Sequence, residues 1–226
     1  MCFMKILSYN INKFSQEKFE HILQYDADVF ILPELASKPL LNLPDDFKME
    51  WMGDIENKGL GVVWKNNLKA EIPSWFNPRH KYMLPIFIDE VLFIASWPTI
   101  TDRKDSSQHY PRIAAETLYE YEPYLKQFPT IISGDMNCYK GQSSETKMYS
   151  IESIDRFLAS IGYVSAYHNF TGEALGKESI ATYYHQFKEK SPFFIDYTFT
   201  NINVKDFHLG EWEPQISDHV PQFIEI

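Results

Sequence analysis

Five short segments of the sequence place carboxylate, amide or imidazole side chains directly after an apolar run. They are Asn10-Ile11-Asn12, Glu34, Gly134-Asp135-Met136-Asn137, Asp196-Tyr197 and Ser217-Asp218-His219. Carboxylates and amides bind hard cations, and a carboxylate or an imidazole can transfer a proton. A single Asp or Asn after a strand usually shapes a turn or caps a helix. Five such segments in one chain instead predict a shared site at the edge of a sheet, where open α/β sheets bind ligands.

Short apolar runs rich in β-branched and aromatic residues predict the strands that would position these segments. The runs span 4–9, 28–33, 59–64, 84–88, 91–97, 129–133, 193–199 and 220–225. Those at 28–33 and 129–133 lack a regular polar alternation, which predicts strands buried on both faces. Apolar residues at helical spacing predict three helices, beginning after Ser15, near Pro111 and after Ser150. Helices among many strands favour a mixed α/β layered sandwich over an all-β barrel.

Composition favours one acidic domain in a reducing compartment. The 226 residues are 44% hydrophobic, and 31 acids against 21 bases give a formal charge of −10. This charge opposes nonspecific adhesion to bulk nucleic acid, although a local patch or a metal could still hold nucleic acid. Cys2 and Cys138 are too few for a disulfide framework or a cysteine zinc site. The first residues predict a strand and no signal peptide, so we expect a single cytoplasmic domain over 1–226 without a membrane span.

In type and order, the polar segments resemble the motifs of the endonuclease/exonuclease/phosphatase superfamily, which includes DNase I-like nucleases, abasic-site endonucleases, sphingomyelinases and inositol polyphosphate 5-phosphatases. The resemblance covers nearly the whole chain. It rests on Ser8-Tyr9-Asn10-Ile11-Asn12, Glu34, Ser133-Gly134-Asp135-Met136-Asn137, Ile195-Asp196-Tyr197 and Ser217-Asp218-His219, with Ala181-Thr182-Tyr183-Tyr184 leading to the fourth segment. Each motif is weak alone and strong within this ordered set. The resemblance implies a four-layer α/β/β/α sandwich of two packed mixed sheets, which is the DNase I-like fold.

The resemblance also implies a metal site. Glu34 would be the principal ligand, and Asn10 and Asp218 would assist directly or through water. Hard oxygen ligands of this type suit Mg²⁺ or Mn²⁺. Many members place Asp two residues after the first-strand Asn, whereas this chain has Asn12. The lower negative charge makes a second metal less secure.

The remaining polar residues correspond to the superfamily's catalytic groups. Asp135 would position or deprotonate the attacking water, Asn137 would hold a phosphate oxygen, and His219, oriented by Asp196, would stabilise the pentacovalent phosphate or supply a proton. Such groups act where negative charge develops during phosphoester cleavage. Members resembling DNase I carry a second histidine on the strand before Gly-Asp-x-Asn, and 91–97 contains none. The resemblance therefore implies chemistry with one histidine.

Several less specific features bear on substrate binding. Asn12, and Tyr110 and Arg112 in the loop 98–112, are candidates for contacting substrate, as is Arg103 of the same loop. Solvated charges on a mobile loop are an equal alternative for the loop residues. Another basic and aromatic cluster, Arg79-His80-Lys81-Tyr82, could touch a polynucleotide backbone but is too short to establish nucleic-acid binding. The segment Lys58-Gly59-Leu60-Gly61-Val62 favours the start of a strand, with glycines that allow close packing, over a phosphate loop.

Together these features predict a divalent-metal-dependent phosphoester hydrolase, favoured as a nuclease-like phosphodiesterase that uses water as its nucleophile. A small-molecule phosphodiester or phosphomonoester hydrolase is nearly as well supported, because the acidity of the chain disfavours tight sequence-independent binding of DNA. A third hypothesis is a non-catalytic binding protein on the same fold. The retained set Glu34, Asp135, Asn137, Asp196 and His219 argues against it, since a degenerate site should have lost some of these residues.

Overall fold

Two six-stranded sheets carry most of the strands in the computed structural model, which describes residues 4–102, 104–105, 107–142 and 146–226. The first sheet has the order β13-β14-β1-β2-β4-β3 and contains β1 (Lys5–Ser8), β2 (Val29–Leu35), β3 (Phe47–Ile55), β4 (Lys58–Lys65), β13 (Asp206–Leu209) and β14 (Gln222–Glu225). The second sheet has the order β5-β6-β7-β8-β12-β9 and contains β5 (Ala70–Glu71), β6 (Met83–Ile88), β7 (Val91–Ser96), β8 (Thr130–Asp135), β9 (Val164–Ser165) and β12 (Asp196–Thr200). A separate ribbon pairs β10 (Tyr183–Tyr184) with β11 (Pro192–Phe193). Cys2 and Arg103 lie outside the described residues.

The three predicted helices are confirmed, and a fourth short helix was not predicted. The helices are α1 (Gln16–Ile22), α2 (Tyr110–Leu125), α3 (Ile151–Ser160) and α4 (Ala166–Thr171). Ser15 caps α1 by accepting the N–H of Lys18, and Ser150 forms a capping box with Ser153 at the start of α3. Pro111 lies in the first turn of α2, where a backbone N–H has no acceptor within the helix. The lack of an N–H in proline therefore costs no helical hydrogen bond. No helix in the described part of the chain is both long enough and apolar enough to cross a membrane.

Alternating side chains of the strands explain the two packed layers. On β2, Val29 and Ile31 face the cluster between the sheets, which also contains Ile132 of β8. The intervening residues Phe30 and Leu32 face a second cluster that is completed by α1. The predicted burial of 28–33 on both faces is therefore confirmed for the residues of β2. Two mixed sheets packed face to face with helices outside form the predicted four-layer α/β/β/α sandwich.

Strand direction brings the polar segments to one end of the sandwich. β1 runs parallel to β2 and β7 runs parallel to β8, whereas β14 is antiparallel to β1 and β12 is antiparallel to β8. The carboxyl ends of β1 and β8 therefore lie beside the amino ends of β14 and β12. The strand predicted over 193–199 is divided between β11 and β12, and Asp196, expected after an apolar run, begins β12. The N–H groups of Ile195 and Asp196 donate to Thr182 Oγ1, both at 3.0 Å, which ends regular pairing there.

The glycine that precedes Asp135 is required by a close approach between strands. Gly134 has φ of +141°, and a Cβ added there would lie 2.1 Å from the carbonyl oxygen of Ser96 on β7. Any larger residue would force β7 and β8 apart at the point where Asp135 leaves the sheet. Glycine before Asp135 therefore allows the close packing of β7 against β8 that fixes the position of the Asp135 carboxylate.

Candidate active site

Glu34 lies at an irregularity inside β2, and not after the strand as the sequence predicted. The pairing of β2 with β4 shifts register between Pro33 and Leu35, and Glu34 has φ of +66°. A bulge of this kind turns a side chain out of the regular alternation, and a non-glycine residue at positive φ carries a conformational cost of roughly 1–2 kcal/mol. Glu34 Oε2 accepts the N–H of Lys13 at 3.1 Å, and Oε1 lies 3.2 Å from Lys58 Nζ.

Asn10 joins the first, middle and last polar segments. Its side chain is buried, Oδ1 accepts the N–H of Asn12 at 2.9 Å, and Nδ2 donates to Asp135 Oδ2 at 3.0 Å. Its carbonyl oxygen accepts the hydroxyl of Ser217 at 2.6 Å. Burial raises the pKa of Asp218, and a hydrogen bond from the side chain of Asn12 is among the interactions that oppose this rise. Hydrogen bonds thus hold together polar segments that are distant in sequence.

Asp135 is buried at the end of β8 with both carboxylate oxygens hydrogen-bonded. Oδ1 accepts the N–H of Asn137 at 2.7 Å, and Oδ2 accepts from Asn10. Burial raises the pKa of Asp135 to about 7, against a lowering by the charge of His219. Asn137 has φ of +52°, and its Nδ2 donates to the carbonyl oxygen of Pro98 at 3.2 Å. A buried carboxyl with a pKa near neutrality has the properties of a general base.

His219 is the centre of an arrangement of three carboxylates. Its Nδ1 lies 2.9 Å from Asp196 Oδ2, while Nε2 lies 3.9 Å from both Asp135 Oδ2 and Asp218 Oδ1. Burial alone would lower the pKa of His219, but the charge and hydrogen bond of Asp196, with the charges of the other two acids, raise this pKa to about 9. The imidazole is therefore protonated at neutral pH, and Nε2 carries a proton on the side facing Asp135.

Replacing Asp196 with Asn is expected to lower the pKa of His219 from about 9 by about one unit or more, because the largest favourable interaction of the imidazolium is removed. An NMR titration of the metal-free protein measures this midpoint. The raised folded pKa also has a consequence for stability. The imidazolium stabilises the fold fully below its unfolded pKa of about 6.5, and this contribution is lost as pH rises through about 9.

A matched control is the exposed pair of His208 and Asp206, whose Nδ1 and Oδ2 atoms lie 3.0 Å apart. Asp206→Asn should leave the midpoint of His219 unchanged. An Asp196→Asn protein in which His219 keeps its wild-type midpoint would contradict the assigned pairing.

Several residues that support these groups belong to the quoted motifs, but no role was predicted for them from the sequence. Thr182 is fully buried and accepts the N–H groups that place Asp196. The ring of Tyr183 lies 4.6 Å from that of His219, and the backbones of the two residues form an isolated bridge. Thr182 and Tyr183 belong to the segment 181–184, which formed part of the family resemblance. Ser217 Oγ also accepts the N–H of His219 at 3.0 Å.

A groove of about 690 Å³ opens beside Glu34 and Asn137. Its lining includes Glu34, Asn137, Lys58, Tyr82, Trp97 and Tyr110. Arg112 instead lines a neighbouring cavity of about 370 Å³ that shares Tyr82 with the groove. The Nε of Arg112 donates to Glu116 at 2.7 Å, and its guanidinium lies 5.4 Å from the ring centroid of Tyr149. Of the three substrate-binding candidates, Tyr110 borders the groove, Asn12 contacts Asp218, and Arg112 lies one cavity away.

The donor types of Glu34, Asn10 and Asp218 fit a hard divalent cation. Burial and then the charges of Asp218, Asp135, Glu34 and Asp196 raise the pKa of Tyr183 to about 12, so these carboxylates act on one region. Within the described ranges, no three His, Cys, Asp or Glu side chains are placed to hold one ion. The set implied by the resemblance consists of two carboxylates and an amide oxygen. Such mixed oxygen sets suit Mg²⁺ and Mn²⁺ with water completing the coordination.

Comparisons with known proteins show similarity in fold. No protein-family model and no curated protein matches the chain. The 3′ phosphatase NExo from Neisseria, bound to a product DNA hairpin, aligns with a TM-score of 0.68 at 15% identity over 98% of both chains. An AP endonuclease from Archaeoglobus fulgidus gives the same TM-score, identity and coverage. TDP2 from D. rerio, complexed with a single-strand DNA product, aligns with a TM-score of 0.60 at 12% identity over 100% of this chain and 99% of that chain.

Proposed function

We propose that the chain, which has the DNase I-like fold of the endonuclease/exonuclease/phosphatase superfamily as its motifs predicted, forms one domain over residues 1–226 that hydrolyses phosphate esters with a divalent metal. One observation carries the proposal. The buried pair of His219 and Asp196 faces Asp135 at 3.9 Å, at the end of the sandwich that also carries Glu34. A protonated imidazole beside a carboxylate of near-neutral pKa is an acid and base pair suited to phosphoryl transfer to water.

In the proposed reaction, Asp135 orients a water molecule and takes its proton as the water oxygen bonds to phosphorus. Both oxygens of Asp135 are fixed by hydrogen bonds, which holds the carboxylate in one orientation. Its pKa of about 7 leaves much of the group ionised near neutral pH, while that pKa is high enough to favour accepting a proton.

His219 provides the complementary acid. Nδ1 is fixed by Asp196, so the proton on Nε2 can be donated to the departing oxygen as its bond to phosphorus breaks. After release of the product, Asp135 holds the proton taken from water and His219 has lost one. The 3.9 Å between Nε2 and Asp135 Oδ2 offers a short route, directly or through one water, by which this proton resets both groups.

Glu34, Asn10 and Asp218 would hold Mg²⁺ or Mn²⁺ as a resident cation. Such a cation supplies charge stabilisation to phosphoryl oxygens. Asn137 would donate an amide hydrogen to a phosphoryl oxygen, since its Nδ2 has a second N–H besides the one given to Pro98. Asn12 would contact this region through Asp218, and Tyr110 would contact the substrate from the wall of the groove.

The favoured function is that of a nuclease-like phosphodiesterase, with a nucleic acid as its substrate. The open groove is bordered by aromatic and polar side chains, and bases stack on aromatic rings without sequence preference. Two of the proteins with this fold, NExo and TDP2, hold DNA products. The formal charge of −10 favours the second candidate, a hydrolase of small phosphodiesters or phosphomonoesters, because a polyanion is repelled over a wider surface than a small ester.

A metal-supplemented substrate screen tests the proposal. We expect hydrolysis of an aryl phosphodiester with Mn²⁺ or Mg²⁺, complete loss on adding chelator, and cleavage of at least one member of a panel. The panel comprises plasmid DNA, single-stranded DNA, RNA, cyclic dinucleotides, phosphoinositides and sugar phosphates. His219→Ala, purified identically, controls for contaminating nucleases. Folded, metal-supplemented protein that cleaves none of these substrates would instead support a binding protein on the same fold.

A further inference from the structure

The ammonium of Lys58 lies beside Glu34, the residue expected to bind the cation. It begins β4 opposite the irregularity of β2, and its Nζ lies 3.2 Å from Glu34 Oε1. The same ammonium lies 5.4 Å from the ring centroid of Trp97, and the side chain is 43% exposed. Lys58, Trp97 and Glu34 all line the groove with Asn137. The ammonium is therefore at the boundary between the carboxylate cluster and the space for substrate.

A second lysine near the cluster has a different arrangement. Lys18 Nζ donates to the carbonyl oxygens of Ile11 and Asn12 at 3.1 and 2.8 Å, and burial lowers its pKa. These hydrogen bonds stabilise the backbone of the turn that contains Asn12, so the role of Lys18 is structural. Lys58 has no comparable backbone tie among its described contacts, and its partners are one carboxylate and one aromatic face. It can leave Glu34 without breaking the local fold.

We propose that Lys58 has two positions: it pairs with Glu34 when the cation is absent, and it binds a phosphoryl oxygen of the substrate once a divalent cation occupies Glu34. This inference rests on the proposed function, because it assigns a phosphate contact within the same site. Lys58 would then be a substrate-binding residue that the sequence motifs do not include.

The first position follows from electrostatic competition. An ammonium and a divalent cation repel each other, and both are attracted to the same carboxylate oxygen. Binding of the metal must therefore displace Lys58, and the apparent affinity for metal is reduced by the stability of the existing ion pair. Removing the ammonium should make metal binding tighter. A residue with only a structural role would leave metal affinity unchanged or weaken it.

The second position follows from the surroundings of Lys58. Its contact with Trp97 holds the ammonium over the groove by cation–π attraction, so displacement from Glu34 leaves it close to the substrate space. That space is bordered by the carboxylates of Glu34, Asp54 and Asp105, which repel an anionic phosphate. A free ammonium offsets this repulsion and binds phosphate as a compact point charge.

Lys58→Met keeps the length of the side chain and removes its charge. Lys65→Met is the matched control, because Lys65 ends the same strand and pairs with Asp28 at 2.9 Å. Calorimetric titration of metal-free protein with Mn²⁺ gives the metal affinity, and steady-state hydrolysis of bis(4-nitrophenyl) phosphate at saturating Mn²⁺ gives KM and kcat. For Lys58→Met we expect Mn²⁺ binding to tighten and KM to rise, each by about twofold to fivefold, with a smaller change in kcat. Lys65→Met should change neither constant.

The two measurements separate the possible failures. Unchanged or weaker Mn²⁺ binding in Lys58→Met would overturn the competition with metal, and an unchanged KM would overturn the contact with phosphate. Lys58→Gln also removes the charge and replaces Lys58→Met as the test if the latter does not fold, and an unchanged Mn²⁺ affinity or an unchanged KM in that variant would contradict the same two parts of the proposal. Wild-type protein that hydrolyses nothing would reject the proposed function itself, and the inference with it.

Discussion

Asp135→Asn is expected to lower kcat by a factor on the order of 10² or more, because an amide cannot take the proton of the attacking water. The Asp135 side chain is buried, so a chemical cause of the lower kcat has to be separated from a structural one. An amide retains one oxygen acceptor and places N–H hydrogens against one of the two donors, Asn10 or Asn137, that now bond the carboxylate. The substitution also removes a carboxyl whose ionisation is opposed by burial, and this gain in stability offsets part of the cost of the lost hydrogen bond. We therefore expect a folded protein with near-wild-type Mn²⁺ affinity and little turnover.

Asp155→Asn is the matched control for this prediction. Asp155 lies on α3, is partly buried, and, like Asp135, has a pKa that burial raises, but it lies outside the site. Steady-state turnover and thermal unfolding are measured for both variants. Near-normal turnover in Asp135→Asn would remove this residue from the role of base, and an equal loss of turnover in Asp155→Asn would point to a general effect on the fold.

The interior strands were predictable from sequence because burial on both faces leaves a continuous apolar signal. β2 and β8 are of this kind: neighbouring side chains of β2 alternate between two apolar clusters, and both strands have a paired strand on each side. The edge strand β3 was missed. It alternates Lys48 and Glu50 with Met49 and Trp51, and only Met49 among its residues is fully buried. A half-exposed edge strand lacks the apolar content that a short window detects.

The polar residues of the site were predictable by type, but not their exact positions on the strands. Asp196 was expected after an apolar run inside a strand over 193–199, yet it begins β12, because Thr182 accepts the N–H groups of Ile195 and Asp196. Glu34 was expected after β2, yet it lies at a register shift with positive φ. Both departures depend on partners far away in sequence. Local propensity contains no information about such partners.

The segment that begins at Lys58 illustrates the same limit. The prediction that it starts a strand with closely packed glycines is confirmed, since a Cβ added at Gly59 would lie 2.4 Å from Trp51 and one at Gly61 would lie 2.3 Å from Leu35. The position of the lysine beside Glu34 could not be predicted, because it depends on the pairing of β4 with the irregular part of β2. Motifs identify residues that a family shares, whereas Lys58 belongs to no motif.

Glu34→Gln tests the central role of the cation in this site. The amide keeps the size of the side chain and its acceptor oxygen, but it removes the charge that would hold a divalent ion and that now attracts Lys58. We expect turnover to fall by a factor on the order of 10² or more, as for other losses of charge stabilisation at a reacting centre. Glu50→Gln, on the partly buried strand β3, removes an equal charge away from the site and should retain wild-type turnover.

The most direct measurement is the dependence of phosphodiester hydrolysis on Mn²⁺ concentration, recorded for wild type, Glu34→Gln and Glu50→Gln under the same conditions. Metal-dependent hydrolysis at a site built around Glu34 predicts saturable activation of wild type and of Glu50→Gln. It also predicts that Glu34→Gln has a much lower maximal rate and needs a higher Mn²⁺ concentration for half-activation. Activation of Glu34→Gln at the wild-type concentration and to the wild-type rate would contradict this account, because the catalytic cation would then be bound elsewhere.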